Sequence, residues 1–155
     1  MNQKAKNVSL EERSGSTFVC VYLILKQEDQ LCLLLRRNTG YYDGYYGLIA
    51  GHVEDGESAI AGMIREAYEE AGLELNASQM KVVHVMHRQT NRLNIDVFFD
   101  CQSWESAIKN LELEKCRELD FFSLGALPSN VVDYNEIALK HILRREFYSE
   151  LGWGG

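Results

Sequence analysis

Residues 51–73 constrain what this chain can fold into more than any other stretch; their sequence is GHVEDGESAIAGMIREAYEEAGL. A glycine-flanked acidic loop leads into a pattern that predicts a helix over residues 57–71. Glu66, Glu69 and Glu70 then lie within one turn, and three neighbouring carboxylates repel one another unless a positive group lies among them. Hard divalent cations such as Mg²⁺ bind carboxylate and carbonyl oxygens and commonly serve phosphate chemistry. The segment therefore indicates a cation site.

The position of these acids around the helix helps to distinguish such a site from a merely solvated face. With Glu66 taken as zero and about 100° per residue, Glu69 lies at about −60° and Glu70 at about +40°. The apolar side chains between about +60° and +160° are Ile60, Met63, Ile64, Ala67 and Ala71. The acids border this stripe rather than oppose it, and Arg65 is the only Lys or Arg between positions 53 and 80. We therefore expect the stripe to pack on a sheet and the acids to face a cleft edge.

The same residues resemble the signature of the Nudix hydrolase family, G-x5-E-x7-R-E-U-x-E-E-x-G-U, where U is aliphatic. Its fixed and aliphatic positions are occupied by Gly51, Glu57, Arg65, Glu66, Ala67, Glu69, Glu70, Gly72 and Leu73. The resemblance implies an α/β fold, an α/β/α sandwich with a mixed sheet. It also implies hydrolysis of a nucleoside diphosphate linked to another moiety, with Mg²⁺ (or Mn²⁺) as cofactor.

The resemblance assigns roles within the motif. Glu66, Glu69 and Glu70 are the expected metal ligands, together with the carbonyl of Gly51. The catalytic set is expected to comprise Glu57, Arg65, Glu69 and Glu70, in which Glu57 and Arg65 brace the motif through a salt bridge. A further metal-binding glutamate often comes from outside the motif. The candidates are Glu112, Glu114 and Glu118, between which the sequence does not choose, although we take Glu114 as the working assignment.

Residues outside the motif must recognise the substrate. Arg37 ends the second strand and is expected to reach phosphate, while Arg36 would point to the opposite sheet face; a solvated charge is the alternative for Arg37. Asn135 can exchange hydrogen bonds with a purine edge, or it can simply start the last helix. Tyr46 is expected to bind substrate. It belongs to a group of tyrosines that could stack on a base or pack on the sheet, namely Tyr41, Tyr42, Tyr45 and Tyr46.

One position departs from the family pattern. Many members have a Pro-Gly step before the first glycine of the motif, where this chain has Ile49 and Ala50. Ala restricts close backbone approach more than Gly does. Because every acidic position is intact, we still expect activity.

Composition limits the partners of the protein. Its 155 residues favour one domain, which we place at residues 17–150 after a flexible N-terminal segment of residues 1–16. The net charge of −7 argues against binding nucleic acid or an anionic membrane through a basic face. Neither a signal peptide nor a membrane-spanning run is recognised, and the four cysteines form no CxxC pair. We expect a cytoplasmic protein with a small nucleotide as partner, and a homodimer is possible.

Periodicity predicts the remaining elements. The predicted strands are residues 17–26, 30–36, 46–50, 81–87, 94–101 and 119–124. A second amphipathic helix is predicted over residues 131–148, whereas residues 103–118 are ambiguous. The alternation of β-rich and helical segments agrees with a mixed α/β sandwich.

Three functions remain open at this level. The first is Mg²⁺-dependent hydrolysis of a (deoxy)nucleoside triphosphate, in its normal or an oxidised form, to monophosphate and pyrophosphate. The second is hydrolysis of a nucleotide sugar or dinucleotide by the same residues. The third is a domain that only binds a nucleotide as a sensor. The intact Glu66, Glu69 and Glu70 favour catalysis, because clustered like charges are kept mainly where function uses them.

Overall fold

A computed structural model describes residues 16–101 and 103–154. The expectation of a flexible segment over residues 1–16 lies outside the described residues except for Ser16. The elements in chain order are β1 (Thr17–Gln27), β2 (Gln30–Arg36), β3 (Tyr46–Gly47), β4 (Ile49–His52), α1 (Ala59–Ala71), β5 (Lys81–Gln89), β6 (Leu93–Cys101), β7 (Cys116–Ser123), α2 (Asp133–Leu143) and β8 (Tyr148–Leu151).

The strands form a mixed sheet, as expected. β1 pairs in parallel with β6 and antiparallel with β2 and β4, while β5 pairs antiparallel with β6 and in parallel with β8. β2 also pairs antiparallel with β3 and β7. β1 thus lies at the centre, and the motif enters α1 directly from its neighbour β4.

Alternation along β1 divides the core between the two helices. Val21 and Leu23 belong to the cluster on the α1 side, whereas Tyr22 and Ile24 belong to the cluster on the α2 side. This period of two is what a strand buried on both faces requires. The resulting α/β/α layering confirms the predicted fold class. Neither helix in the described part combines the length and apolar character needed to cross a membrane.

Capping explains where α1 begins and ends. The Oγ of Ser58 accepts a hydrogen bond from the backbone N–H of Ala61 at 3.1 Å, which makes Ser58 the N-cap. Gly72 closes the helix in the left-handed conformation, with φ of 66°. The helix therefore starts at Ala59, two residues later than predicted, and Glu57 lies in the loop that precedes it.

Two predicted elements differ from the structure. The strand over residues 46–50 is divided into β3, which pairs with β2, and β4, which pairs with β1. The helix predicted over residues 131–148 ends at Leu143, and Arg145 adopts a left-handed φ of 58°. The chain then turns back and adds β8 to the edge of the sheet beside β5. Backbone pairing with a distant strand decides this ending, which local periodicity does not reveal.

Candidate active site

Arg65 is the hub of the acidic motif. Its Nε and Nη2 donate to the two carboxylate oxygens of Glu57 at 2.9 and 3.0 Å, a bidentate pair. Its Nη1 donates to Glu66 at 2.9 Å and Glu69 at 3.2 Å, and Nη2 also reaches the carbonyl of His52 at 3.0 Å. The hydrogen bond from Arg65 lowers the pKa of Glu57, and the bond to Glu57 in turn raises the pKa of Arg65. The bracing pair expected from the sequence is thus present.

Glu70 is the most enclosed acid of the motif. Its Oε2 accepts a hydrogen bond from the backbone N–H of Ala50 at 3.1 Å, which ties α1 to β4. Burial raises the pKa of Glu70 well above its usual value, and repulsion from Glu66 raises it further. Burial likewise raises the pKa of Glu66. Enclosed carboxylates that disfavour their own charge are a common feature of functional sites.

Gly51 makes room for Glu66. A methyl group at Gly51 would lie only 2.0 Å from Cδ and 2.1 Å from Oε1 of Glu66. Its φ is not positive, so the requirement for glycine here is steric. The Glu66 carboxylate is therefore packed directly on the backbone at Gly51, and both residues line the same cleft.

The donor set fits a hard divalent cation. The carboxylates of Glu66, Glu69 and Glu70 and the nearby loop carbonyls offer only oxygen ligands, which Mg²⁺ and Mn²⁺ prefer. A cation would also offset the repulsion that raises the pKa of the Glu66 and Glu70 carboxyls. As arranged, no three acidic, His or Cys side chains among the described residues converge closely enough to hold an ion. Arg65 is bound to both Glu66 and Glu69, so cation binding requires the carboxylates to reorient.

These acids open into a cleft of about 620 Å³. Its acidic wall contains Glu66, Glu69, Glu70 and Glu112. Its cationic side chains are Arg36, Arg88, Arg92 and Lys115, and its aromatic ones are Tyr22, Tyr41 and Tyr134. A cleft with acids at one wall and cations and aromatic rings at others can hold a metal, phosphates and a flat base.

The three candidate glutamates outside the motif occupy different places. Glu112 lines the cleft, and its charge raises the pKa of both Glu66 and Glu70. Glu114 is exposed and does not line the cleft, while Glu118 accepts a hydrogen bond from the hydroxyl of Tyr46. The placement therefore favours Glu112 over the working assignment, Glu114.

The arginine that faces the cleft is Arg36 rather than the expected Arg37. The guanidinium of Arg37 donates to the carbonyl of Leu113, with Nε at 2.8 Å. Arg36 lines the cleft, and its Nε donates to the carbonyl of Tyr41 at 3.0 Å. The pairing of β2 with β7 is irregular between Leu35 and Arg36. Simple alternation therefore no longer assigns the faces of these two residues correctly.

Asn135 lies in the cleft wall at the start of α2. Its Oδ1 accepts a hydrogen bond from the backbone N–H of Leu48 at 3.0 Å, and the residue is 2% exposed. Its Nδ2 is buried and has no hydrogen-bond partner among the described residues. Tyr41 and Tyr134 line the cleft, whereas Tyr46 contacts Phe122 and lies outside it. The expectation that Tyr46 binds substrate thus does not match its placement.

Sequence reasoning missed a buried polar cluster in the cleft floor. Arg88 and Asp96 form an ion pair with Nε–Oδ2 at 2.6 Å, and the two side chains are 3% and 0% exposed. The hydroxyl of Tyr22 donates to Asp96 at 3.1 Å, and the Arg88 guanidinium lies 3.8 Å from the centre of the Tyr134 ring. The sequence of β6 did contain a signal for this cluster. Polar residues stand at every second position, Asn94 and Asp96, on the strand face that also bears Phe98.

Fold and cleft together define an α/β protein with an acidic site suited to phosphate chemistry. A family model described as the NUDIX domain matches residues 16–138. The chain therefore belongs to the Nudix family.

Individual relatives support the fold more strongly than they specify a substrate. The chain is similar to a MutT NUDIX hydrolase from Burkholderia pseudomallei, with a TM-score of 0.74, 20% identity and coverage of 81% of this chain and 97% of that one. It is also similar to a UDP-X diphosphatase, with a TM-score of 0.64, 17% identity and coverage of 90% and 70%. A NAD-capped RNA hydrolase from Schizosaccharomyces pombe (strain 972 / ATCC 24843) is 36% identical over 56 residues. Those residues are 36% of this chain and only 15% of that protein.

Proposed function

We propose that this protein hydrolyses a (deoxy)nucleoside triphosphate, in a reaction that depends on Mg²⁺ or Mn²⁺, to a monophosphate and pyrophosphate. The observation that carries the proposal is that the enclosed Glu66 and Glu70 carboxylates share one cleft with Asn135, whose Nδ2 has no hydrogen-bond partner in the part of the chain that the structure describes. The acidic wall suits a cation and phosphates, and the amide suits an acceptor on a base edge.

The proposed metal-binding groups are Glu66, Glu69, Glu70, the carbonyl of Gly51 and one glutamate from Glu112 or Glu114. The cation, when bound, supplies charge neutralisation for phosphate and acidifies a water molecule. Arg65 and Glu57 hold the loop and helix together through their bidentate pair. Of the three motif acids, Glu69 has a side chain that is 47% exposed, which makes its carboxylate available to accept a proton at Oε1 or Oε2. That Glu69 acts as the general base is part of the proposal.

The phosphate and base contacts follow from the cleft walls. Arg36 is proposed to bind phosphate, in place of Arg37, because Arg36 lines the cleft. Asn135 is proposed to donate from Nδ2 to the base, since its Oδ1 is already occupied by Leu48. Tyr41 and Tyr134 supply ring faces for stacking.

A second candidate is hydrolysis of a nucleotide sugar or a dinucleotide. The specific observation that favours it is similarity to a UDP-X diphosphatase and, over 56 residues, to a NAD-capped RNA hydrolase. Both names describe pyrophosphate bonds that join a nucleotide to another moiety. The acidic wall would serve this reaction equally well, so the substrates must be compared directly.

A panel of substrates decides between these candidates. The protein is incubated with Mg²⁺ or Mn²⁺ and nucleoside triphosphates, nucleotide sugars or dinucleotides, and pyrophosphate and phosphate are assayed separately. Direct release of pyrophosphate supports the first candidate, whereas phosphate that appears only after a phosphatase is added supports the second. Glu69→Gln should abolish most turnover, while the exposed control Glu74→Gln should not. Nucleotide binding without any hydrolysis would point to a sensor and contradict both.

We also propose a cytoplasmic location. Cys20, Cys32, Cys101 and Cys116 are all buried and form no disulfide. Reduced thiols of this kind are typical of a reducing compartment. A homodimer stays a prediction, which measurement of the mass in solution would test.

A further inference from the structure

Arg92 is held at the mouth of the cleft by neutral groups. Its Nε donates to Oδ1 of Asn94 at 3.0 Å, and its Nη2 contacts Nε2 of His52 and lies 3.7 Å from Sγ of Cys20. Its guanidinium carbon lies 4.1 Å from the centre of the Phe18 ring. Arg92 lies in the turn between β5 and β6, and four contacts from β1, β4 and β6 therefore fix the orientation of this cationic side chain, which lines the cleft.

In the described part of the chain, Arg92 has no carboxylate partner at ion-pair distance. Arg88, which also lines the cleft, differs because its charge is balanced by Asp96, with Nε and Oδ2 separated by 2.6 Å. Arg92 is nevertheless half-buried, and an oriented guanidinium without a carboxylate is suited to bind an anion.

Arg92 is also placed next to the acidic motif. His52 follows Gly51 directly, its carbonyl accepts a hydrogen bond from Arg65, and its side chain contacts Arg92. Gly51 in turn carries the packed carboxylate of Glu66. His52 and Gly51 are consecutive residues of β4, and Arg92 lines the same cleft as Glu66, Glu69 and Glu70. An anion that bridges Arg92 and a cation at these acids would have to be short and multiply charged, as a phosphate chain is.

We propose that Arg92 is an anion-binding residue of the substrate site, which binds the part of the phosphate chain that leaves as inorganic pyrophosphate. This inference rests on the proposed function. Phe18, His52 and Asn94 are positioning residues that hold the guanidinium toward the cleft. Arg92 thus adds a positive charge to a cleft whose other wall carries Glu66. This charge helps to overcome the repulsion between the acidic protein and a polyphosphate.

Inorganic pyrophosphate is the probe that tests Arg92 without requiring turnover. Its affinity is measured by calorimetry in the presence of Mg²⁺ for the wild type, Arg92→Ala, Arg92→Lys and Arg92→Gln. We expect Arg92→Ala and Arg92→Gln to weaken binding about tenfold, and Arg92→Lys to weaken it less because it keeps the charge but loses the planar fork. Arg117→Ala removes an exposed arginine outside the cleft and serves as the matched control, with unchanged affinity.

A kinetic measurement separates an anion-binding role from a structural one. On the best nucleotide, Arg92→Gln should raise KM about tenfold while kcat stays within a few-fold, and thermal unfolding should resemble the wild type. If Arg92→Ala folds poorly, Arg92→Gln still tests the anion-binding role, since its amide can keep the contact with Asn94. Pyrophosphate affinity within twofold of the wild type in Arg92→Gln would overturn the proposal, as would a wild type that binds no pyrophosphate. If pyrophosphate binding depends on Arg92 as expected but the protein does not hydrolyse nucleoside triphosphates, only the proposed substrate is refuted.

Discussion

Replacing Gly51 by Ala should damage catalysis much more than folding. The added methyl group would lie 2.0 Å from Cδ of Glu66 and 2.5 Å from its Cγ. Carbon atoms at optimal contact are separated by about 3.5–4.0 Å, so the carboxylate must move by roughly 1.5 Å. The atoms that must move are the far end of a flexible side chain, and the backbone at position 51 is already compatible with alanine. The strain can thus be relieved by displacing Glu66 rather than by unfolding.

The expected cost follows from this displacement. A misplacement of about 1 Å in a catalytic constellation can reduce rate about 10²-fold, which corresponds to about 2.7 kcal/mol of transition-state stabilisation. We therefore expect kcat/KM of Gly51→Ala to fall about 100-fold on the best substrate. The midpoint of urea unfolding should change little, because the clash is relieved at the end of one flexible side chain and no left-handed conformation is involved.

The assay is initial-rate hydrolysis over a range of Mg²⁺ concentrations, combined with urea unfolding of the same preparations. Gly125→Ala is the control, because the atom nearest to a methyl group added there is Oγ of Ser123, at 3.8 Å. The activity of this variant should match the wild type. Activity of Gly51→Ala within twofold of the wild type would refute the idea that the Glu66 carboxylate must lie against the loop. Equal losses of activity and stability would show that the loop itself had collapsed.

Three further changes test other parts of the structure. Asp96→Asn should destabilise the protein by about 3–5 kcal/mol in urea unfolding, because it leaves Arg88 buried without a counter-charge; the exposed Asp29→Asn should have no such effect, and a cost below 1 kcal/mol would contradict the assigned pair. Burial and the nearby His141 lower the pKa of His84 from its ordinary 6.5. The unfolded chain therefore binds a proton at a pH where the folded His84 does not, so unfolding free energy should be level above pH 7 and fall as pH drops below about 6.5. That fall should shrink in His84→Asn; an unchanged profile would exclude His84 as its source. Asn135→Ala should alter the preference among bases, and an equal loss on every nucleotide would argue against base recognition.

The parts of the site that lie close together in sequence were predictable from the sequence. The spacing of Glu66, Glu69 and Glu70 sets their positions on α1 whatever the rest of the chain does. Ser58 and Gly72 bound the helix by local capping chemistry. The interactions that build this half of the site are mostly within 20 residues of each other, which is why a pattern of residue types was sufficient.

The substrate side of the cleft depends on pairing between distant strands. Whether Arg36 or Arg37 faces the cleft depends on the irregular pairing with β7, about 80 positions away in the chain. The buried pair of Arg88 and Asp96 depends on the register between β5 and β6. Asn135 enters the cleft because its Oδ1 binds the backbone of Leu48, 87 positions earlier. Of these contacts, only the pair of Arg88 and Asp96 leaves a periodic signal, which is the polar residue at every second position of β6.

The departure at Ala50 shows how the two halves of the site are joined. Its backbone N–H donates to Glu70, and its side chain packs against the core cluster on the α2 side. Its φ is not positive, so nothing in its conformation requires glycine. The interaction with Glu70 needs only a backbone N–H, which every residue except proline provides. Ala50 thus retains the hydrogen bond that positions a motif acid and adds a methyl group to the opposite core, so the absence of the usual glycine is compatible with an intact acidic motif.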